Sequence, residues 1–206
     1  MRVQLRQAVA DGAAFYRERY PDGYDHRTWT DHVERVRATV DFAEAALEPE
    51  GYRLQAPVVD VADLSCGDGV LATTLARRLH CPAPPFLGDV NGSSAGGDLD
   101  VIGALPGTLH WLPQGLCLYV CSETLEHLDD PDGFLTALRL KTRYLLLTTP
   151  EGETGDGNPE HYWGWDSEAV GAMLAAAGFT AVLAHRVFTP VYTTPDVIPT
   201  QMWMCS

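Results

Sequence analysis

Two short stretches of this chain concentrate side chains able to do chemistry. "CSETLEHL" sets Glu123, Glu126 and His127 within one turn's length, and "NPEHYWGWD" supplies His161 farther along. Wound as a helix, the first stretch presents Glu126 and His127 as i+3 and i+4 neighbours of Glu123 on one face. Carboxylates grouped with imidazoles suit a divalent cation such as Mg²⁺, Mn²⁺ or Zn²⁺. Such an ion grips substrate oxygens and lowers the pKa of a hydroxyl held against it. Without metal, His127 or His161 is a candidate general base.

The second stretch is "DLSCGDG", Asp63 to Gly69, between the apolar "PVVDVADL" and the alanine-rich "GVLATTLARRLH". A loop from a buried strand to a helix N-terminus offers free N–H groups and a positive dipole end. Gly67 and Gly69 lack the Cβ atoms that would hold a ligand away. Three readings are compatible with it. One is a tight turn with no ligand. The second is a dinucleotide cradle, because "GDGVLA" fits G-x-G-x-x-G/A and Asp89 follows at the distance of a ribose-binding acid. The third is a cradle for a cationic ligand, because Asp63 at the loop's mouth suits an ammonium group.

These residues need a frame. "PVVDVADL", "PPFLGDV", "LCLYVCSE", "RYLLLTTP", "FTAVLAHRVF" and "PTQMWMCS" read as strands, with helical patterns following the first, third and fourth and a loop, "NGSSAGGD", following the second. In "DDPDGFLTALRLKT" Asp130 caps the start and Pro131 occupies the first turn. Asp166 or Ser167 opens "DSEAVGAMLAAAG", and Gly178 closes it. Residues 1–48 read as helical, broken near Pro21 and Gly23, with Val33, Val36, Val40 and Ala43 forming an apolar stripe. Alternating strands and helices predict an α/β fold, a mainly parallel sheet covered on both faces. Ligands of such sheets bind beyond the carboxyl ends of the strands. We expect one domain over 1–206, with an N-terminal helical cap (1–50) on a Rossmann-like core (57–206).

Bulk properties narrow the partners. The 206 residues carry 14 basic and 28 acidic side chains, a net charge of −14. That balance disfavours nucleic acid, whose binding rests on neutralised phosphates. No apolar run reaches the ~20 residues of a membrane span. The charged N-terminal stretch is unlike a secretory signal. The five cysteines contain no C-x-x-C pair, as in reduced cytosolic proteins. A cytoplasmic protein is expected, and no self-association surface is legible.

Taken in order, "DLSCGDG", "CSETLEHLDDP", "LLLTTPEG" and "AMLAAAGF" resemble the class I S-adenosylmethionine-dependent methyltransferases. The similarity is to the group with a "DLGCGTG"-like first motif and an "SEVLEHL"-like block after the fourth strand. It spans about Val58 to Phe188. The resemblance implies a doubly wound, seven-stranded sheet, mostly parallel, with an antiparallel C-terminal strand. It implies that Asp63, Ser65, Cys66, Gly67 and Gly69 hold the amino-acid end of S-adenosyl-L-methionine, and that Asp89 accepts from the ribose hydroxyls. Asp98 is similar to the acid that contacts the adenine amino group, with Asp100 its nearest rival. Ser122 and Glu123 would line the cofactor side. Two departures stand out: Ser65 replaces a glycine, and the Asp89–Asp98 interval is short.

"ETLEHL" also resembles the Glu-x-x-Glu-His metal motif of small-RNA 2′-O-methyltransferases and ubiquinone-pathway O-methyltransferases. The former add a later histidine, matched by His161. Other members carry the block without metal, and there His127 caps or packs. The resemblance therefore implies methyl transfer to a small-molecule acceptor, on oxygen. The alternatives are a metal-assisted RNA 2′-O-methyltransferase and a non-catalytic cofactor-binding scaffold. Tyr162, Trp163 and Trp165 are expected in a mobile lid over the acceptor. Tyr16, Tyr20, Tyr24, His26 and Trp29 are the candidates for a cap opposite.

Overall fold

A computed structural model describes residues 1–25, 27–28, 30–47, 58–92, 98–154, 158–190 and 197–206. His26, Trp29 and most of the "NGSSAGGD" loop lie outside them. Among the described residues nine strands form in chain order: β1 (Arg2–Gln4), β2 (Val61–Asp63), β3 (Phe86–Asp89), β4 (Val101–Ile102), β5 (Leu116–Ser122), β6 (Thr142–Pro150), β7 (Trp163–Trp165), β8 (Ala181–Pro190) and β9 (Val197–Cys205). Five helices accompany them: α1 (Gly12–Arg19), α2 (Thr30–Leu47), α3 (Val70–Arg78), α4 (Pro131–Arg139) and α5 (Ser167–Ala176).

Seven strands make one sheet in the order β4-β3-β2-β5-β6-β9-β8. The pairs from β4 through to β6 are parallel, and β9 lies antiparallel to both β6 and β8. The expected fold class therefore holds, including the reversed C-terminal strand. The central strands read as unbroken apolar runs because both faces are covered. Side chains alternate between the two faces. Tyr119, Cys121, Leu145, Leu147 and Trp203 join a core with Phe134, Leu138, Val170 and Leu174 of α4 and α5. Leu118, Val120, Leu146, Met202 and Met204 join another with Val40, Ala43, Leu71 and Leu75 of α2 and α3.

The predicted caps form. Asp130 Oδ1 accepts from Gly133 N ahead of α4, and Asp166 Oδ1 accepts from Ala169 N ahead of α5. Gly178, at φ +87°, sits just past the end of α5 in the left-handed conformation that glycine adopts freely.

The N-terminal region departs from the expectation of an all-helical segment. Arg2–Gln4 is extended and pairs antiparallel with Trp163–Trp165, Val3 opposite Gly164. Leu5 N continues the register by donating to Tyr162 O at 2.8 Å. Only glycine fits at 164, since a Cβ there would stand 2.0 Å from the Glu153 carbonyl oxygen. This small sheet ties the chain start to the segment that follows β6.

Candidate active site

The carboxyl ends of the parallel strands converge on one cavity of about 520 Å³. At its floor β2 ends on Asp63, and the chain turns into α3 through Gly67 (φ +57°) and Gly69 (φ +72°). Both glycines occupy the left-handed region, where a side chain would be strained. At Gly69 a Cβ would also stand 2.8 Å from Leu87 Cδ1. Gly67 N donates to Asp89 Oδ2 and Asn91 N donates to Asp89 Oδ1, both at 2.8 Å. Asp89, at the end of β3, is thus locked against the loop with an edge on the cavity.

Asp63 is 2 % exposed, and its Oδ1 accepts from Ser65 N at 2.9 Å and Ser65 Oγ at 3.2 Å. Burial pushes its carboxyl up to about 7, opposed by the Ser65 N–H and reinforced by the charge of Asp89. Among the described residues no cation offsets that burial. An ammonium placed beside the carboxyl supplies one. Thr124 Oγ1 donates to Ser65 Oγ at 2.8 Å, joining this floor to the tip of β5.

At that tip Ser122 Oγ is 2.8 Å from Thr148 Oγ1, and Glu123 stands at φ +51°. Glu123 Oε1 accepts from Thr148 Oγ1 at 3.0 Å, and its Oε2 pairs with Arg35 Nη1 of α2 at 2.9 Å. The left-handed backbone at Glu123 means that "ETLEHL" is not one helix. Only Leu125–His127 winds, as a short 3₁₀ turn. Glu123 pairs with Arg35 and contributes no atom to the close group formed by Glu126 and His127, so the expected helical face of Glu123, Glu126 and His127 does not form.

The other three candidates do meet. Atoms of Glu126, His127 and His161 able to bind a metal ion all lie within 4.8 Å of one another, the one such group among the described residues. His127 Nδ1 is 2.9 Å from the Glu160 carbonyl oxygen and 2.9 Å from the Tyr16 hydroxyl. A carbonyl only accepts, so Nδ1 carries the proton and Nε2 is bare. Nε2 faces Glu126 Oε1 at 3.7 Å, and that oxygen is sealed from solvent with no hydrogen-bond partner. Glu126 Oε2 accepts from Thr149 Oγ1 at 2.9 Å, which itself accepts from Trp165 Nε1 at 2.9 Å.

The charge states follow from this packing. Burial, then the charge of Glu123, push Glu126 up to about 8. Burial, then the neighbouring His161, pull His127 down to about 3. Burial alone would lower His161, but its bond to Glu153 and the surrounding carboxylates raise it. Its Nδ1 donates to Glu153 Oε2 at 2.5 Å, and Asn158 Nδ2 donates to its Nε2 at 2.9 Å. A carboxylate behind a histidine is the usual support of a metal-ligating imidazole. Two acceptor atoms facing at 3.7 Å need a proton or a cation between them. The cluster is compatible with either.

Helix α1 and its continuation close the cavity from above. Tyr16, Tyr20 and Tyr24 line it, with Tyr20 and Tyr24 rings 4.7 Å apart. Tyr20 Oη donates to Glu160 Oε1 at 2.7 Å, and Arg19 pairs with the same oxygen.

Several candidates stand elsewhere. Asp98 is exposed and does not line the cavity. Asp100 Oδ2 accepts from Leu87 N on the sheet edge. The reason is topological: β4 begins after both, so its C-terminal residues Gly103, Ala104 and Leu105 reach the cavity instead. Trp163 and Trp165 are not in the wall. Trp165 is fully buried on Thr149, and Trp163 Nε1 donates to Leu128 O while Arg2 lies over its ring. Of the expected lid aromatics, Tyr162 alone faces the cavity, and its hydroxyl accepts from Val9 N. Ser65, Cys66, Gly67, Ser122, Glu123, His127 and His161 all line it. Sequence reasoning missed Arg35, Asn158 and Glu160. Glu160 and Asn158 flank His161 in "NPEH", a signal that was legible.

No protein-family model and no curated protein matches the chain. Solved structures do. Magnesium protoporphyrin IX methyltransferase from Synechocystis, with bound S-adenosylhomocysteine, aligns at TM-score 0.57 and 18 % identity, covering 95 % of this chain and 94 % of that one. A Burkholderia thailandensis 1,6-didemethyltoxoflavin-N1-methyltransferase gives 0.62 at 15 % identity, covering 99 % and 93 %. The [4+2]-cyclase SpnF gives 0.58 at 17 % identity, covering 89 % and 77 %. The chain has the fold of the class I S-adenosylmethionine-dependent methyltransferases. The third neighbour is named for a different reaction, so the fold alone does not set the chemistry.

Proposed function

We propose that the protein transfers a methyl group from S-adenosylmethionine to a hydroxyl oxygen of a small molecule. The observation that carries this reading is the continuity of the cavity, which runs from the Asp63–Gly69 loop to His127 and His161. A donor on the loop therefore faces an acceptor beside the imidazoles. The fit to the donor rests on the left-handed glycine turn between Asp63 and α3, with Gly67 on the cavity wall, and on the cation-starved carboxyl of Asp63.

When bound, the donor would supply an electrophilic sulfonium methyl group, which the acceptor oxygen takes while S-adenosylhomocysteine leaves. Asp63 and Ser65 hold its amino-acid end, and Asp89 orients the ribose through the oxygen edge facing the cavity. Tyr16, Tyr20 and Tyr24 keep bulk water from the junction and align the acceptor, which supplies much of the rate in such displacements. His127, uncharged at neutral pH, is the base that accepts the hydroxyl proton. Calorimetric titration with S-adenosylmethionine and S-adenosylhomocysteine should show binding that weakens sharply in Asp89→Ala. Lack of binding by the intact protein would sink the reading.

A metal-assisted variant is favoured by one observation, the unpartnered Glu126 Oε1 facing His127 Nε2. Glu126, His127 and His161 would hold the ion, whose charge lowers the pKa of the acceptor hydroxyl. Its test is a Zn²⁺ or Mn²⁺ titration of chelator-treated protein, read by calorimetry in wild type and His161→Ala. An RNA acceptor is disfavoured by the net charge of −14. A panel of small hydroxylated acceptors, with release of S-adenosylhomocysteine as readout, separates catalysis from a binding scaffold.

A further inference from the structure

The cavity wall is acidic: Asp63, Asp89, Glu123, Asp129 and Glu160 all line it. Among the described lining residues Arg35 is the one lysine or arginine. Its Nη1 pairs with Glu123 Oε2 at 2.9 Å, and its Nη2 is 2.9 Å from His32 Nδ1. Its Nε–H is buried with no hydrogen-bond partner. A guanidinium offers five N–H donors in a planar fork that matches a carboxylate. This one has donors to spare and an orphaned Nε.

The ligand of the donor loop is a zwitterion at its amino-acid end. Asp63 answers the ammonium, and an acidic wall suits the sulfonium. The carboxylate is repelled by those five acidic groups and calls for a cation. Contacts connect the two ends: Asp63 to Ser65, Ser65 to Thr124, and Glu123, next to Thr124 in sequence, to Arg35. Building on the cofactor reading, we infer that Arg35 anchors the carboxylate of S-adenosylmethionine. This assigns α2 a direct role in donor binding, with Glu123 and His32 as the residues that aim the guanidinium.

The test uses two ligands that differ at that end. S-adenosylhomocysteine has the amino acid, and 5′-methylthioadenosine keeps only the nucleoside thioether. Calorimetry on wild type, Arg35→Gln and Arg35→Lys is expected to show S-adenosylhomocysteine weakened about thirtyfold by Arg35→Gln, the scale of one charge-assisted contact. Arg35→Lys should retain most of the affinity. 5′-Methylthioadenosine should bind all three proteins within about twofold, as the other ligand set is untouched. Equal weakening of both ligands would mean a structural role for Arg35 and overturn the assignment, as would unchanged binding of S-adenosylhomocysteine. Failure of wild type to bind either ligand would overturn the cofactor reading itself, and this inference with it.

Discussion

Glu126 Oε1 and His127 Nε2, on adjacent residues of one 3₁₀ turn, face each other at 3.7 Å with the carboxylate oxygen sealed from solvent. An unfolded glutamate titrates near pH 4.3, and this one is pushed up to about 8. Between those values the native state holds the extra proton. The contribution of Glu126 is therefore fully present below pH ~4 and is lost as pH rises through 8, at up to about 1.4 kcal/mol per pH unit. Urea unfolding from pH 5 to 8 should show wild-type stability falling more steeply than that of Glu126→Gln. Parallel curves for the two proteins would refute the burial argument.

Asp63 makes donor affinity pH-dependent. Its carboxyl, raised to about 7, is protonated in more acidic solution and must ionise to meet an ammonium. S-adenosylhomocysteine should bind progressively more tightly from pH 5.5 to 8, by up to about tenfold per unit below 7 and levelling above it. In Asp63→Asn the affinity should be lower and this part of the pH dependence should vanish. Titration calorimetry across that range checks both.

Thr149 connects the core to the cluster: it takes a hydrogen bond from Trp165 Nε1 and gives one to Glu126 Oε2. Thr149→Val preserves shape and orphans both partners. A loss of about 2–4 kcal/mol is expected for two buried groups left unsatisfied. Trp165→Phe removes only the donor on one side and some ring volume, and should cost less. Chemical denaturation of the two variants ranks them.

Gly69→Ala tests the cradle. The added Cβ meets Leu87 Cδ1, and the backbone at φ +72° is strained for any residue but glycine. The expected cost is about 1–2 kcal/mol of stability, together with weaker binding of S-adenosylhomocysteine. Gly107→Ala is the control, because nothing lies within 4 Å of a Cβ there and the residue is not part of the cavity wall. Melting curves with and without ligand separate the two effects.

The sheet was legible because its central strands, such as Leu116–Ser122, are apolar throughout and too short to be helices. The short strands were not. Val101–Ile102 has two residues and no period to read, so no local pattern marks Gly103–Leu105 as cavity wall or sets Asp98 apart from it. Arg2–Gln4 and Trp163–Trp165 each show their strand nature only through the other. Within the site, residue types in "ETLEHL" pointed to a cluster, but the backbone turn at Glu123 that splits it is set by Arg35 and Thr148, neither of which is near in sequence. Long-range partners are what a local pattern leaves out.

Helix α1 buries none of its residues. It is attached by Tyr16 to His127, by Arg19 to Glu160, and just beyond its end by Tyr20 to Glu160. Lifting it exposes little apolar surface, so the free energy of opening is set by a few polar contacts of about 1 kcal/mol each. The sheet beneath is held by two cores that the helix does not touch. Cover and scaffold are thus thermodynamically separable. Amide protons of α1 should exchange by local opening with little denaturant dependence, while those of β5 wait for the whole molecule to unfold. A segment laid over the cavity can move at almost no cost to the sheet that forms the cavity floor.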